Sequence, residues 1–241
     1  MEASHVMYTC CMTDYQLKQK AVIDQIAEQV ATNQLRFTTV GLVDDYENDT
    51  RMALTCVHLP STQLVEEIVS TLITPLQAIE PEYYYYPSTS LHLTIKNIRV
   101  VADTPSFGDA EIALAKNVCS SIIPNHKQFN VYFYRLLLFP NSLALIGTTD
   151  PELDEIHLDL DQALTKSGIP DDKVYTNKRY FFSNMTLARF NSAPSAAFRR
   201  QVAALSDEMA FEPYMLGSVT LLKCNAALQR RTTLGTWNLK Q

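Results

Sequence analysis

The chain has 241 residues, 46% hydrophobic and 19% charged, enough to bury a full core as a single domain over 1–241 and too few to demand several. Its formal net charge of −6 at pH 7 argues against binding long duplex nucleic acid, which rests on clustered Lys and Arg displacing counterions; a small nucleotide or a short RNA end stays allowed. The five cysteines, Cys10, Cys11, Cys56, Cys119 and Cys224, are odd in number and lack Cys-x-x-Cys spacing, so they read as reduced thiols rather than zinc ligands or a disulfide framework.

Residues 1–13 carry no basic region followed by an apolar run, and no apolar stretch is long enough to span a bilayer. A soluble, cytoplasmic protein with no membrane partner is expected. Residues 15–35 place Leu17, Val22, Ile23, Ile26 and Val30 at near-helical spacing and predict an amphipathic helix. The β-branched and aromatic run 36–43, the polar turn 44–50 and the strand-like run 51–59 predict a hairpin closed by Pro60. Residues 61–76 predict a helix with Ser61 or Thr62 as cap and Pro75 near its stop. A strand over 90–101, a helix over 110–121 and two strands over 128–139 and 142–148 follow, the last two split by Pro140 and Asn141. Residues 151–167 form a helix with Leu153, Ile156, Leu160 and Leu164 on one stripe. Then come a strand over 180–190, a helix over 194–209 and strands over 217–225 and 232–239. Each half mixes strands and helices in a similar order, which fits a bilobed α+β fold with a cleft between the lobes.

The six glycines (Gly41, Gly108, Gly147, Gly168, Gly217 and Gly235) are too far apart for a Rossmann fingerprint or a P-loop, and Gly-x-Ser-x-Gly is absent. The chemistry therefore has to come from elsewhere. On an extended strand, residues two apart share a side, so His92 and Thr94 face one way while Leu91, Leu93 and Ile95 face the core. Asn184 and Thr186 repeat that spacing in a second strand. Two such strands can face each other across a cleft.

This pair of motifs resembles the two-histidine (2H) phosphoesterase superfamily, which includes RNA 2′-5′ ligase-like and cyclic phosphodiesterase proteins and is marked by paired His-x-Thr/Ser motifs. His92 and Thr94 match the first motif; of the second only Thr186 matches, with Asn184 in place of the histidine. Tyr86-Pro87 before the first motif, Leu138-Phe139-Pro140-Asn141, and Leu187-Ala188-Arg189-Phe190 after the second extend the likeness. It spans a core over 51–239, with 1–50 left as an N-terminal helix and strand extension.

The resemblance implies that one imidazole acts as general base and the other as general acid on a phosphodiester or 2′,3′-cyclic phosphate, with no metal or other cofactor. The two Thr hydroxyls would bind nonbridging oxygens. Imidazole suits both proton-transfer roles near neutrality; the Asn184 amide donates and accepts hydrogen bonds but moves no proton. The implied partner is a nucleotide or an RNA terminus, either hydrolysed by an enzyme with an impaired acid–base pair or held by a catalytically inactive binding module.

Each of these residues also has a plainer reading: His92 as a strand histidine satisfied by a carbonyl, Asn184 and Thr186 as polar decoration. Arg189, three residues past Thr186, is open to two readings, a contact to the ligand phosphate or a side chain that faces away on a regular strand. His58 is open to two readings, a strand-end histidine or a substitute for the missing imidazole. His157, with Asp154, Glu155, Asp159 and Asp161, reads as the solvated acidic face of a helix rather than a metal site. In the run 83–86, Tyr86 is expected at the rim as a substrate contact. His5 and His126 fall in loops without a role.

Overall fold

The computed structural model describes residues 12–37, 40, 41 and 43–241. Its elements in chain order are α1 (Asp14–Ala31), β1 (Met52–His58), α2 (Thr62–Ile68), a π turn (Val69–Ile73), α3 (Thr74–Gln77), β2 (Tyr84–Tyr85) and β3 (Leu93–Ala102). Then follow α4 (Asp109–Ile122), β4 (Phe129–Phe139), β5 (Ser142–Thr149), α5 (Glu152–Lys166), β6 (Ser183–Arg189), α6 (Ala196–Glu208), β7 (Tyr214–Leu216), β8 (Ser218–Cys224) and β9 (Arg231–Asn238). The strands form two antiparallel sheets, ordered β3-β1-β8-β9 and β2-β6-β5-β4-β7. This is the α+β, two-lobed architecture expected from the sequence. β3 forms an edge of the first sheet and packs against β6 of the second, so the two motif strands meet where the lobes join.

The hairpin expected between 36–43 and 51–59 does not form. β1 is buried on both faces and hydrogen-bonds β3 on one side and β8 on the other, which leaves it no edge for a third partner. The described residues of 36–43 are in no strand; positions 38, 39 and 42 lie outside the described residues, as do His5, Cys10 and Cys11. Pro75 lies near the stop of its helix, as expected, just before the end at Gln77. Lacking an N–H, it leaves the Thr71 carbonyl without its usual donor, and the chain widens into the π turn just before it, with the Thr74 N–H reaching back to the Val69 carbonyl. Strands β2 and β7 were not legible in the sequence, being only two and three residues long.

α1 begins with a reciprocal cap: the Thr13 hydroxyl accepts from the Gln16 N–H at 3.3 Å, and the Gln16 side chain accepts from the Thr13 N–H at 2.9 Å. Its Ile23 and Ile26 pack on Leu137, Ala144 and Ile146 of the five-stranded sheet. Gln19, fully buried beside them, donates to the Thr149 hydroxyl at 2.8 Å and to the Phe181 carbonyl, and accepts from the Thr149 N–H at 2.8 Å. The helix is thereby pinned against β5 and the segment leading into β6. No helix among the described residues is long and apolar enough to cross a membrane.

Candidate active site

At the start of β3 the expected alternation of burial holds, with Leu91, Leu93 and Ile95 buried and His92 and Thr94 half-buried, but the strand begins at Leu93, so His92 stands just ahead of it and not on it as expected. The pairing with β1 then slips, because Val57 opposes Thr94 but Cys56 opposes Lys96, leaving Ile95 as an extra residue. Such a bulge reverses which side later residues face. Lys96 therefore turns inward, 1% exposed, and Asn97 returns to the side of Thr94.

β6 repeats the device. Asn184 and Thr186 are half-buried between buried neighbours, opposite Ile146 and Ala144 of β5, and the register slips at Leu187 before Ala188 meets Leu143. Arg189, which a regular strand would point away, is brought back to the side of Thr186. The two stripes run in opposite senses. At one end, Arg189 Nε donates to the Tyr86 hydroxyl at 3.4 Å, and the Tyr86 ring lies 6.2 Å from that of His92. At the other end, Asn97 faces Tyr175, whose ring packs 5.4 Å from Phe181 just ahead of β6.

Between the stripes lies a cavity of about 220 Å³. Thr94, Asn97, Asn184, Thr186, Arg189 and Lys173 line its polar part, and Val22 and Ile26 of α1, with Phe37, Val40, Phe139 and Phe182, form an apolar wall. Among the described residues, Lys173 and Arg189 are the charged side chains in its lining, and no carboxylate is there.

Of the residues singled out from the sequence, Thr94, Asn184 and Thr186 share this cavity; His92 stands beyond Arg189 and outside the lining. Its Nδ1–H donates to the Ser90 carbonyl at 2.8 Å, a contact that leaves the Nε2 lone pair to accept, and Nε2 has no hydrogen-bond partner among the described residues. Burial pushes its pKa down to about 4, with the Ser90 carbonyl opposing and the positive charges of Arg189 and Arg231 adding. His92 is thus neutral at pH 7, a base rather than an acid.

Tyr86 is not at the rim. It is 2% exposed, and its hydroxyl donates to the Ala226 carbonyl at 3.0 Å while accepting from Arg189, so it acts as a prop for Arg189 and His92. His58 does not replace the missing imidazole either. It is buried, with Nδ1–H donating to the Ser218 carbonyl at 2.8 Å and Nε2 accepting from the Tyr214 hydroxyl at 2.8 Å, and burial lowers its pKa.

The acidic face of α5 is solvated only in part: Glu155 and Asp159 are exposed as expected, but Asp154 and His157 are buried. Asp154 is 1% exposed and accepts from the Tyr180 and Phe181 N–H groups at 2.8 and 2.6 Å, which fixes the loop that delivers Phe181. His157 is buried in the cavity wall, stacked on Phe181 with ring centroids 3.6 Å apart. Its Nδ1–H donates to the Ile95 carbonyl at 3.1 Å and its Nε2 accepts from Lys96 Nζ at 3.4 Å. Burial, helped by the Lys96 charge, pushes its pKa down to about 3. Lys96 in turn is paired with Asp161 at 2.9 Å and with Asp171. His126, Glu152 and Glu155 come within metal-ligand spacing of one another, but outside this cavity, and the His126 to Glu152 hydrogen bond of 2.8 Å accounts for their approach.

Lys173 and His157 were missed as site residues. Nothing in the local sequence marks them: Lys173 sits in a polar loop, and His157 occupies the acidic stripe of its helix.

No family model and no curated protein matches this chain. Solved structures do. Escherichia coli LigT, crystallised with 3′-AMP, aligns over 80% of this chain and 100% of its own at 18% identity, with a TM-score of 0.51. A protein described as a phosphoesterase aligns over 79% of this chain and 99% of its own at 15% identity, with a TM-score of 0.53. A conserved protein of unknown function from Agrobacterium tumefaciens str. C58 aligns over 86% of this chain and 96% of its own at 15% identity, with a TM-score of 0.54. The fold is therefore that of the LigT-like phosphoesterases, in line with the two-histidine resemblance of the sequence.

Proposed function

We propose that this protein binds the phosphate ester of a nucleotide between β3 and β6, as a metal-independent phosphoesterase-like protein whose acid–base pair lacks one member. Its ligand is a 2′,3′-cyclic nucleotide, a 2′-5′ linkage or an RNA terminus. The observation that carries this reading is electrostatic. In a chain of net charge −6, the charged side chains lining the cavity among the described residues are both cationic, Lys173 and Arg189. Hydroxyl and amide donors stand beside them, and donors of this kind bind phosphate oxygens through charge-assisted hydrogen bonds. LigT has been crystallised with 3′-AMP and with ATP, ligands of the same chemical class.

In this arrangement the Thr94 and Thr186 hydroxyls and the Asn184 amide donate to the nonbridging oxygens, and Arg189 balances their charge. His92 Nε2 takes the proton from the attacking water. The leaving oxygen takes its proton from solvent water, because Asn184 cannot give one and the ring nitrogens of His58 and His157 are both engaged. Losing one positioned proton-transfer group costs on the order of a hundred- to ten-thousandfold in rate, so turnover is slow while binding persists. A second reading, a binding module with no turnover, is favoured by the place of His92 outside the cavity lining.

The test is a panel of 2′,3′-cyclic nucleotides and 2′-5′ oligonucleotides assayed with the wild type and His92→Ala. Slow hydrolysis that disappears in His92→Ala supports the enzyme; ligand binding without turnover supports the module. Absence of both would reject the phosphate-ester reading.

A further inference from the structure

The cavity contains a second set of donors apart from the two threonine hydroxyls: Lys173, Asn97 and Asn177. The Lys173 ammonium lies 5.1 Å from the Tyr175 ring centroid and makes no ion pair or hydrogen bond among the described residues. The carboxylates nearest in sequence are used elsewhere. Asp171, with Asp161, takes the ammonium of Lys96, and Asp172 accepts from the Val100 N–H at 3.0 Å. Asn177 Oδ1 accepts from the Arg179 N–H at 2.8 Å, which leaves its amide N–H groups for the cavity. A half-buried ammonium without a partner is costly in a folded protein, and a ligand anion removes that cost.

The position of this set along the strands matters as much as its charge. Asn184 and Thr186 are two residues apart on β6, roughly 7 Å. Tyr175, under Lys173, packs on Phe181, beyond Asn184 and away from Arg189. A single phosphate held by Thr94 and Thr186 is too small to reach both ends.

We propose that Lys173, with Asn97 and Asn177, forms a second anion subsite, so that the ligand carries two phosphates, as in a nucleoside bisphosphate or the phosphorylated end of an oligonucleotide. This rests on the phosphate-ester reading above, with the first phosphate at Thr94 and Thr186. The groups facing Lys173 are Asp171, Asp172 and Tyr175 of its own loop, Lys96 of β3 and His157 of α5, with Asp161 of α5 paired to Lys96 behind them. Burial pushes the Lys173 pKa down to about 8, Asp171 and Asp172 opposing and Lys96 adding. The subsite is charged at pH 7 and loses its charge as the pH rises past that value.

Calorimetry at pH 7 with adenosine 3′-monophosphate and adenosine 3′,5′-bisphosphate tests this. In the wild type the bisphosphate binds at least about tenfold more tightly, the effect of one charge-assisted contact. Lys173→Ala brings the two ligands close to parity, Lys173→Arg keeps the preference, and Thr94→Val weakens both ligands alike. Asn97→Ala, which leaves the ion pairs of Lys96 intact, reduces the preference in part and serves if Lys173→Ala does not fold. Equal affinity of the two ligands in the wild type, with Thr94 still required, overturns the second subsite and leaves the phosphate-ester reading standing. Failure of both ligands to bind overturns both.

Discussion

Replacing Asn184 by histidine restores the proton carrier that the second motif lacks. The position tolerates the change: Asn184 is half-buried, pairs with Ile146 through the backbone, and directs its side chain into the cavity rather than the core. An imidazole there enters open space instead of displacing packed groups. An added acid–base group is expected to raise cyclic-phosphate hydrolysis by about ten- to a thousandfold, within or below the usual range for such a group. The pH profile carries the sign. His92 works as a base with a pKa near 4, so wild-type activity rises through that pH and then levels. The new imidazole must be protonated, and Lys173 and Arg189 in the same cavity hold its pKa at or below the ordinary value of about 6.5. Activity of Asn184→His therefore falls above that pH, giving a bell. Initial rates on a 2′,3′-cyclic nucleotide from pH 4 to 8, for the single variant and for its combination with His92→Ala, measure both effects. A variant that binds ligand normally yet gains nothing at any pH would refute the idea that Asn184 and His92 flank one phosphate.

Three further predictions concern the frame around the site. His157 is neutral when folded, with a pKa near 3 against about 6.5 unfolded. Stability is therefore full above pH 6.5 and declines as the pH falls toward 3, by up to about 1.4 kcal/mol per unit. Urea unfolding at pH 7.5 and 5 should show the decline, and His157→Phe should flatten it. Gln19→Ala leaves the Thr149 N–H and the Phe181 carbonyl without their partner and is expected to cost about 2–4 kcal/mol in the same assay; a loss below 0.5 kcal/mol would mean that α1 is held by its apolar face alone. Lys96→Met strands Asp171 beside an apolar chain, and a loss of about 2–4 kcal/mol is expected, less than for a fully buried pair because Asp161 is 42% exposed. Unchanged stability would show that water already satisfies both carboxylates.

Most of the framework could be read from the sequence because its strands and helices carry clean periods. β3 through β6 and α4 through α6 fall within a few residues of their expected positions, since alternation and 3.6-residue stripes are set by which face meets the core. The errors share a physical cause, in that they depend on long-range pairing. Nothing within 36–59 reveals that β8, far along the chain, takes the edge of β1 that the hairpin needed. The bulges at Ile95 and Leu187 are invisible to a period-two reading, yet they decide that Asn97 and Arg189 face the cavity and that Lys96 does not. His157 and Asp154 looked solvated because their helix carries acids on that stripe, while the loop that covers them contributes Tyr175 and Phe181 from beyond the helix. Thr94, Asn184 and Thr186 were legible through the two-histidine resemblance together with strand spacing, whereas His92, paired with Thr94 by the same reading, precedes β3 and stands outside the cavity lining.

The central claim is that the Thr94, Asn184 and Thr186 cavity receives a phosphate ester, and titration calorimetry with adenosine 3′-monophosphate at pH 7 tests it most directly. The account predicts saturable binding by the wild type that weakens by roughly ten- to a hundredfold in Thr94→Val and again in Thr186→Val, each having lost a hydrogen bond to a charged oxygen worth about 1.5–3 kcal/mol. Binding that both valine variants retain undiminished, or no binding by folded protein at millimolar nucleotide, would contradict it.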